Sequence, residues 1–181
     1  TGINNVARAL GTRIDLFADA ALPPGGPGRI RQLQISGNGL SIFSAGSFAD
    51  LTYTGRNAIR VQDLSIFAGL ANRPLAGAID LKANGSVSPL SRGFDLTFEG
   101  GTDDLRLGID QLDPLTAGAT QVSGRAVRDE TGIRTENLRL ENPQLSFVSD
   151  GVYSTARTDI GFQASLSDLA LVSPRASGAV D

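Results

Sequence analysis

Asp103 and Asp104, followed by Asp110 and Asp113, come closer than any other side chains in this sequence to a chemical constellation. Paired carboxylates at such spacing could cleave a glycoside or gather around a calcium ion. The EF-hand spacing is absent, however, and acids beside turns commonly hydrogen-bond the local backbone, so solvated turn acids are the preferred reading. GGPG from Gly25 and GNG from Gly37 have the glycines of a phosphate loop but lack its Lys-Ser/Thr and a following helix. They read as turns. Serine is frequent, yet without His no triad can form, no G-x-S-x-G elbow occurs, and Lys82 lacks the S-x-x-K spacing. The chain has no Cys, His, Met or Trp, which removes the usual zinc, copper and iron ligands together with thiol and imidazole chemistry. The expectation is a protein that is not an enzyme and carries no cofactor or metal.

Charge points the same way. Sixteen basic residues stand against 19 acidic ones, a net charge of -3, and all the basic residues but Lys82 are arginines scattered singly. With no basic run or stripe, no nucleic-acid partner is expected. No apolar run reaches the roughly 18 residues of a spanning helix, and no signal peptide is present. Beginning at Thr1 without Met and ending on SGAVD, the chain reads as a piece excised from something longer.

The elements that must position any site are strands. Ile79, Leu81, Ala83, Gly85 and Val87 alternate with Asp80, Lys82, Asn84, Ser86 and Ser88, the period of a half-buried strand. GFDLTFEG from Gly93 does the same, with Phe94, Leu96 and Phe98 on one side and Asp95, Thr97 and Glu99 on the other. Ile14 and Leu16, Leu40 and Ile42, Leu51 and Tyr53, Leu105 with Leu107 and Ile109, Leu145 and Phe147, and Ile160 through Leu166 follow the same rule. Turns are expected at PPGGPG (23–28), SGNG (36–39), EGGTDD (99–104), DETG (129–132) and ENP (141–143). The one helical segment expected is short, around Phe67 to Asn72. The fold expected is therefore all-β and antiparallel.

A second regularity is a short acid or amide followed by Leu, at Asp15, Asp50, Asp63, Asp80, Asp95, Asp104, Asn137 and Asp168. Its irregular intervals exclude the fixed rung of a β-helix or blade of a propeller. In IRVQDLSI from Ile59, IRTENLRL from Ile133 and ASLSDLAL from Ala164, the apolar parity slips by one residue just before the acid or amide. Either a β-bulge or a tight turn between two strands would produce that slip. The chain is taken as one β-rich unit, residues 1–181, with sub-repeat boundaries near 73 and 174.

Two architectures would cover the apolar side chains. On the residues alone a closed β-sandwich, two sheets about 10 Å apart, is the commoner solution and serves a structural or adhesive module that binds protein or glycan through its loops. The other is a single curved sheet whose trough holds an apolar guest. Small residues in the apolar rows, such as Ala83, Gly85, Gly124, Ala126 and Ala164, would leave room for that guest or for close packing.

The run from Leu112 to Gly151, with its SGR strand end at Ser123 to Arg125, its turn at Glu130 to Gly132, its NLRLENP segment and its closing DG, resembles the TamB proteins of α-proteobacteria. DLALVSPRASG, from Asp168, continues the likeness, which covers residues 74–181 well and 1–73 more loosely. The resemblance implies a long curved antiparallel sheet, an open half-pipe or β-taco of the AsmA-like group, in the periplasm of a Gram-negative bacterium. The full-length protein would be anchored in the inner membrane. It would shield phospholipid acyl chains in transit between inner and outer membranes and support outer-membrane protein assembly with its barrel partner TamA. On that reading the trough is lined by Ile79, Leu81, Val87, Phe94, Leu96, Phe98, Leu105, Leu107, Ile109, Leu138, Leu140, Leu145, Phe147, Ile160, Phe162 and Leu166. The two open edges of such a sheet are expected to pair with neighbouring segments, or edge to edge in a homodimer of the piece.

Overall fold

The structure, a computed structural model, describes residue 11, residues 13–155, residues 157–168 and residue 170. Ten strands form one antiparallel sheet in simple sequence order: β1 (Asp15–Ala21), β2 (Gly28–Gly37), β3 (Leu40–Ala49), β4 (Thr52–Val61), β5 (Ala76–Ser88), β6 (Gly93–Arg106), β7 (Ala119–Arg128), β8 (Gly132–Glu141), β9 (Leu145–Ser154) and β10 (Thr158–Leu166). Each strand packs against its sequence neighbours, so β1 and β10 stay apart as free edges. The sheet is open and unclosed, the form of a curved half-pipe, and the sandwich alternative falls because no second sheet exists among the described residues.

Local chemistry explains the hairpins. Asn38 (φ 43°) and Gly39 (φ 77°) make the two-residue turn between β2 and β3, where both central residues must be left-handed. Asp50 and Leu51 repeat that geometry between β3 and β4, so the Asp-Leu pair at 50 is a turn while those at 80 and 95 are ordinary strand. DETG and ENP turn the chain as expected: Asp129 accepts from the Thr131 hydroxyl and backbone N–H, and Asn142 accepts from the N–H groups of Gln144 and Leu145. The expected helix is a 3₁₀ turn, Leu64–Phe67, running into α1, Ala68–Ala71, with Asn72 closing it in the left-handed region. The sheet runs unbroken past residue 73, and residue 174 lies outside the described residues.

Two expectations are corrected. EGGTDD is no turn: Gly100 and Gly101 lie inside β6, where a Cβ on Gly100 would strike the Asp80 carbonyl of β5. Glycine here marks close backbone approach, which pattern reading mistook for a chain reversal. Leu107 and Ile109 do not continue the strand of Leu105, because β6 ends at Arg106. The chain instead curls around Asp113, whose carboxylate accepts the N–H groups of Leu107 (2.8 Å), Gly108 (3.2 Å) and Ile109 (3.4 Å).

The parity slips have more than one cause. In IRTENLRL the slip is a bulge: Asn137 takes φ 49°, its N–H is held by the Asp150 carboxylate at 2.7 Å, and the register with β9 shifts between Thr135 and Leu138. In IRVQDLSI the strand ends at Val61, and Asp63 caps the 3₁₀ turn through Ser65 instead. ASLSDLAL leaves β10 at Leu166, Asp168 accepts the Ala170 N–H at 2.9 Å, and Leu169 and Leu171 fall outside the described residues. Asp104 (φ 47°) makes a second bulge, and Arg31 with Gln32 a third. Each bulge adds a residue without turning the apolar side chains over, while bending the strand.

Candidate functional site: an uncovered apolar face

Because paired residues of an antiparallel ladder point to the same side, the registers trace a row across the whole sheet. It runs Leu16, Ile35, Ile42, Ile59, Leu81, Gly100, Val122, Leu140, Phe147, Ala164, one residue from every strand and none of them polar. At about 4.8 Å per strand the row spans about 43 Å. The next row toward one end carries Leu33, Ala83, Phe98, Gly124, Leu138 and Phe162, and beyond it lie Leu96, Ala126 and Ile160. Among the strand residues on this face Arg128, opposite Phe94 at the end of β7, is the one charged side chain.

The expected lining residues fall on this face where they lie in strands. Ile79, Leu81 and Val87 stand on β5; Phe94, Leu96, Phe98 and Leu105 on β6; Leu138 and Leu140 on β8; Leu145 and Phe147 on β9; Ile160, Phe162 and Leu166 on β10. Leu107 and Ile109 sit in the loop around Asp113 and are not part of the strand rows. The expected lining left out the share of β1 to β4, where Leu16, Ile42 and Tyr53 were read as alternating strand positions only: Leu16, Leu33, Ile35, Ile42, Phe48, Tyr53, Ile59 and Val61. The signal in β2 was masked because Arg31 and Gln32 both stand between Ile30 and Leu33, breaking period two.

Among the described residues no second layer lies over this face, although Val61 at one end of it is 5 % exposed. Among the described residues the buried apolar side chains are Ala45, Val61 and Leu64, and no large side chain is fully buried. Phe94, Leu96 and Phe98 are half-buried by their neighbours alone. Toward the β10 edge exposure rises, to 56 % at Ile160 and 71 % at Phe162, whose ring stacks on Phe147 at 6.3 Å.

The small residues do not all leave space for a guest. Gly46, Gly55 and Gly85 are paired in line across β3, β4 and β5, and the Tyr53 side chain lies over Gly55, its hydroxyl against Ser44 Oγ at 2.7 Å. Phe98 reaches over Gly124, its ring 3.3 Å from where a Cβ would stand. An aromatic laid over a strand glycine restores apolar contact that the missing side chain gives up.

The opposite face is a lattice of ions. Arg31 pairs with Asp19, Arg60 with Asp80, Arg125 with Asp95 and Glu136, Arg134 with Glu136, and Arg139 with Glu141. The Arg125 guanidinium holds the Asp95 carboxyl below the usual carboxylate range, and Arg134 with Arg125 does the same for Glu136. Two of the acids considered for catalysis serve the backbone: Asp104 accepts the Gly118 N–H at 2.9 Å, and Asp113 binds its own loop. No group of His, Cys, Asp or Glu able to hold a metal occurs among the described residues, and no helix is long and apolar enough to cross a membrane.

No family model, curated protein or solved structure matches the chain. What the arrangement can do must therefore be argued from its two faces. One is polar and carries most of the ion pairs of the sheet. The other presents a broad apolar strip with no enclosed pocket chemistry, suited to long, flexible, apolar chains that need cover and little else.

Proposed function

We propose that this chain is a non-enzymatic segment of a periplasmic half-pipe of the TamB and AsmA-like kind, shielding phospholipid acyl chains between inner and outer membranes. The observation that carries the proposal is the unbroken apolar row from Leu16 to Ala164 with no second layer over it among the described residues. Burying acyl methylenes on such a strip is worth about 0.8 kcal/mol each, so a lipid tail is held firmly without contacts specific to its headgroup. Polar side chains on the other face keep the outside of the pipe in water. In the full-length protein, anchored in the inner membrane, the same conduit would support outer-membrane protein assembly with the barrel TamA.

Native mass spectrometry of the purified chain, with extracted lipids identified in parallel, tests this reading. Bound phospholipid that disappears when Phe94, Leu96 and Phe98 are made polar in a still folded protein is the expected result. A lipid-free wild type whose apolar face is closed by self-association would overturn it.

A further inference from the structure

The polar face contains one hollow whose charges are left uncompensated. Arg29 of β2 and Arg56 of β4 line it together with Ser47, Thr54 and Asn84, around a floor formed at the nearly buried Ala45. Its volume is about 490 Å³. Two other hollows on this face mix signs: Arg60 and Lys82 with Asp80 and Glu99 in one, Arg134 with Glu136, Asp150 and Asp159 in the other. The Arg29 and Arg56 hollow has no acid in its lining, and neither arginine has an ion-pair partner among the described residues. The nearby acids are already committed, Asp19 to Arg31, Asp80 to Arg60 and Asp95 to Arg125.

The register fixes how the two cations face each other. Arg29 pairs with Ser47, Ser47 with Thr54, and Arg56 lies one pleat beyond Thr54 while pairing with Ala45 and Asn84. That places the two Cα atoms about 12 Å apart, with the hydroxyls of Ser47 and Thr54 between them and the Asn84 amide on β5, on the far side of Arg56. Two guanidiniums that reach inward from such a distance can fork onto the same oxyanion, each through two N–H groups. The hydroxyls of Ser47 and Thr54 and the amide of Asn84 can then donate to oxygens that the guanidiniums leave free, or meet hydroxyl groups on the body that carries the anion. The hollow is shallow and open, so whatever carries the anion can lie over Ser47, Thr54 and Asn84.

We infer that Arg29, Arg56, Ser47, Thr54 and Asn84 form a binding site for a phosphate group carried on a sugar, on the face opposite the apolar strip. The site is independent of the lipid reading, since none of its charged groups faces that strip.

Isothermal titration calorimetry of the 181-residue chain with glucose 6-phosphate tests the site, with glucose, inorganic phosphate and vesicles of anionic phospholipid as comparators. Glucose 6-phosphate should bind more tightly than inorganic phosphate, and glucose should give no heat. R29Q and R56Q should each weaken binding about tenfold or more, the loss that goes with a charge-assisted hydrogen bond, while R60Q, whose arginine serves Asp80, should not. Circular dichroism on the same samples confirms that the variants keep their strands. Unchanged affinity in R29Q and R56Q, or inorganic phosphate binding as tightly as the phosphosugar, would overturn the inference. Binding confined to vesicles and lost in the same variants would also overturn it, transferring the arginines to a lipid headgroup.

Discussion

Arg125 on β7 grips Asp95 on β6 with two prongs, Nε donating to Oδ1 at 2.8 Å and Nη2 to Oδ2 at 2.6 Å. Its remaining nitrogen, Nη1, donates to Glu136 on β8 at 2.9 Å, and Arg134 holds the other Glu136 oxygen. Three strands are thereby pinned in register from the polar side. Asp95 sits between Phe94 and Leu96 in sequence but on the other face, so this clasp aligns the apolar strip of β6 from the opposite side of the sheet.

The first prediction concerns acid. Both carboxyls titrate below their ordinary range in the folded protein, so their pairing stabilises above about pH 4, the unfolded value, and is lost as pH falls through the lower folded values. R125Q should therefore unfold at lower urea than wild type at pH 7, with the gap shrinking below about pH 4. The gap should be modest and salt-sensitive, because Asp95 and Glu136 remain 43 % and 35 % exposed. Urea curves at pH 7 and pH 3 decide it; a gap that persists unchanged at pH 3 would assign the effect to packing of the Arg125 stem.

A second prediction follows from Tyr53 and Gly55. A Cβ on Gly55 would strike both the Ala45 carbonyl and the Tyr53 hydroxyl. Gly55→Ala should cost about 1–3 kcal/mol as the β3–β4 ladder is forced apart. Tyr53→Phe keeps the ring and removes the bond to Ser44, at a cost of about 1 kcal/mol. Chemical denaturation of the two variants should rank them in that order.

Neighbouring residues of one strand separate the two faces. Phe98→Asp places a carboxylate on the apolar strip, whereas Thr97→Asp places one on the polar face beside Arg125, its register partner. Exposing acyl methylenes to an isolated carboxylate costs more than the about 1.4 kcal/mol that equals tenfold in occupancy. Lipid recovered with the protein should fall more than tenfold in Phe98→Asp and stay near wild type in Thr97→Asp. Equal recovery in both would contradict the conduit.

Asp113 offers a test away from the sheet. Asp113→Ala leaves the N–H groups of Leu107, Gly108 and Ile109 without their acceptor, at a cost of about 1–3 kcal/mol. Hydrogen exchange at those three amides should quicken while the amides of β5 and β6 keep their protection. Uniform acceleration across the sheet would show that the loop is part of the cooperative unit.

Period two alone determined that this chain is built of strands, because side chains on a pleated strand alternate whatever they pack against, while the registers showed them antiparallel. It also placed Phe94, Leu96 and Phe98 opposite Asp95, Thr97 and Glu99, as the registers show. Glycine was ambiguous in sequence: Gly39 turns the chain, while Gly100 sits mid-strand against the Asp80 backbone, and only the neighbouring strand distinguishes the two. The bulges at Arg31, Asp104 and Asn137 were equally hidden, since an extra residue reads as a broken pattern until its partner strand counts it. Above all, alternation says that one face is apolar and says nothing about what lies over it. A sandwich and an open sheet demand the same residues, and it was the pairing of each strand with its sequence neighbours alone, a property of tertiary structure, that left the row from Leu16 to Ala164 without a second sheet over it among the described residues.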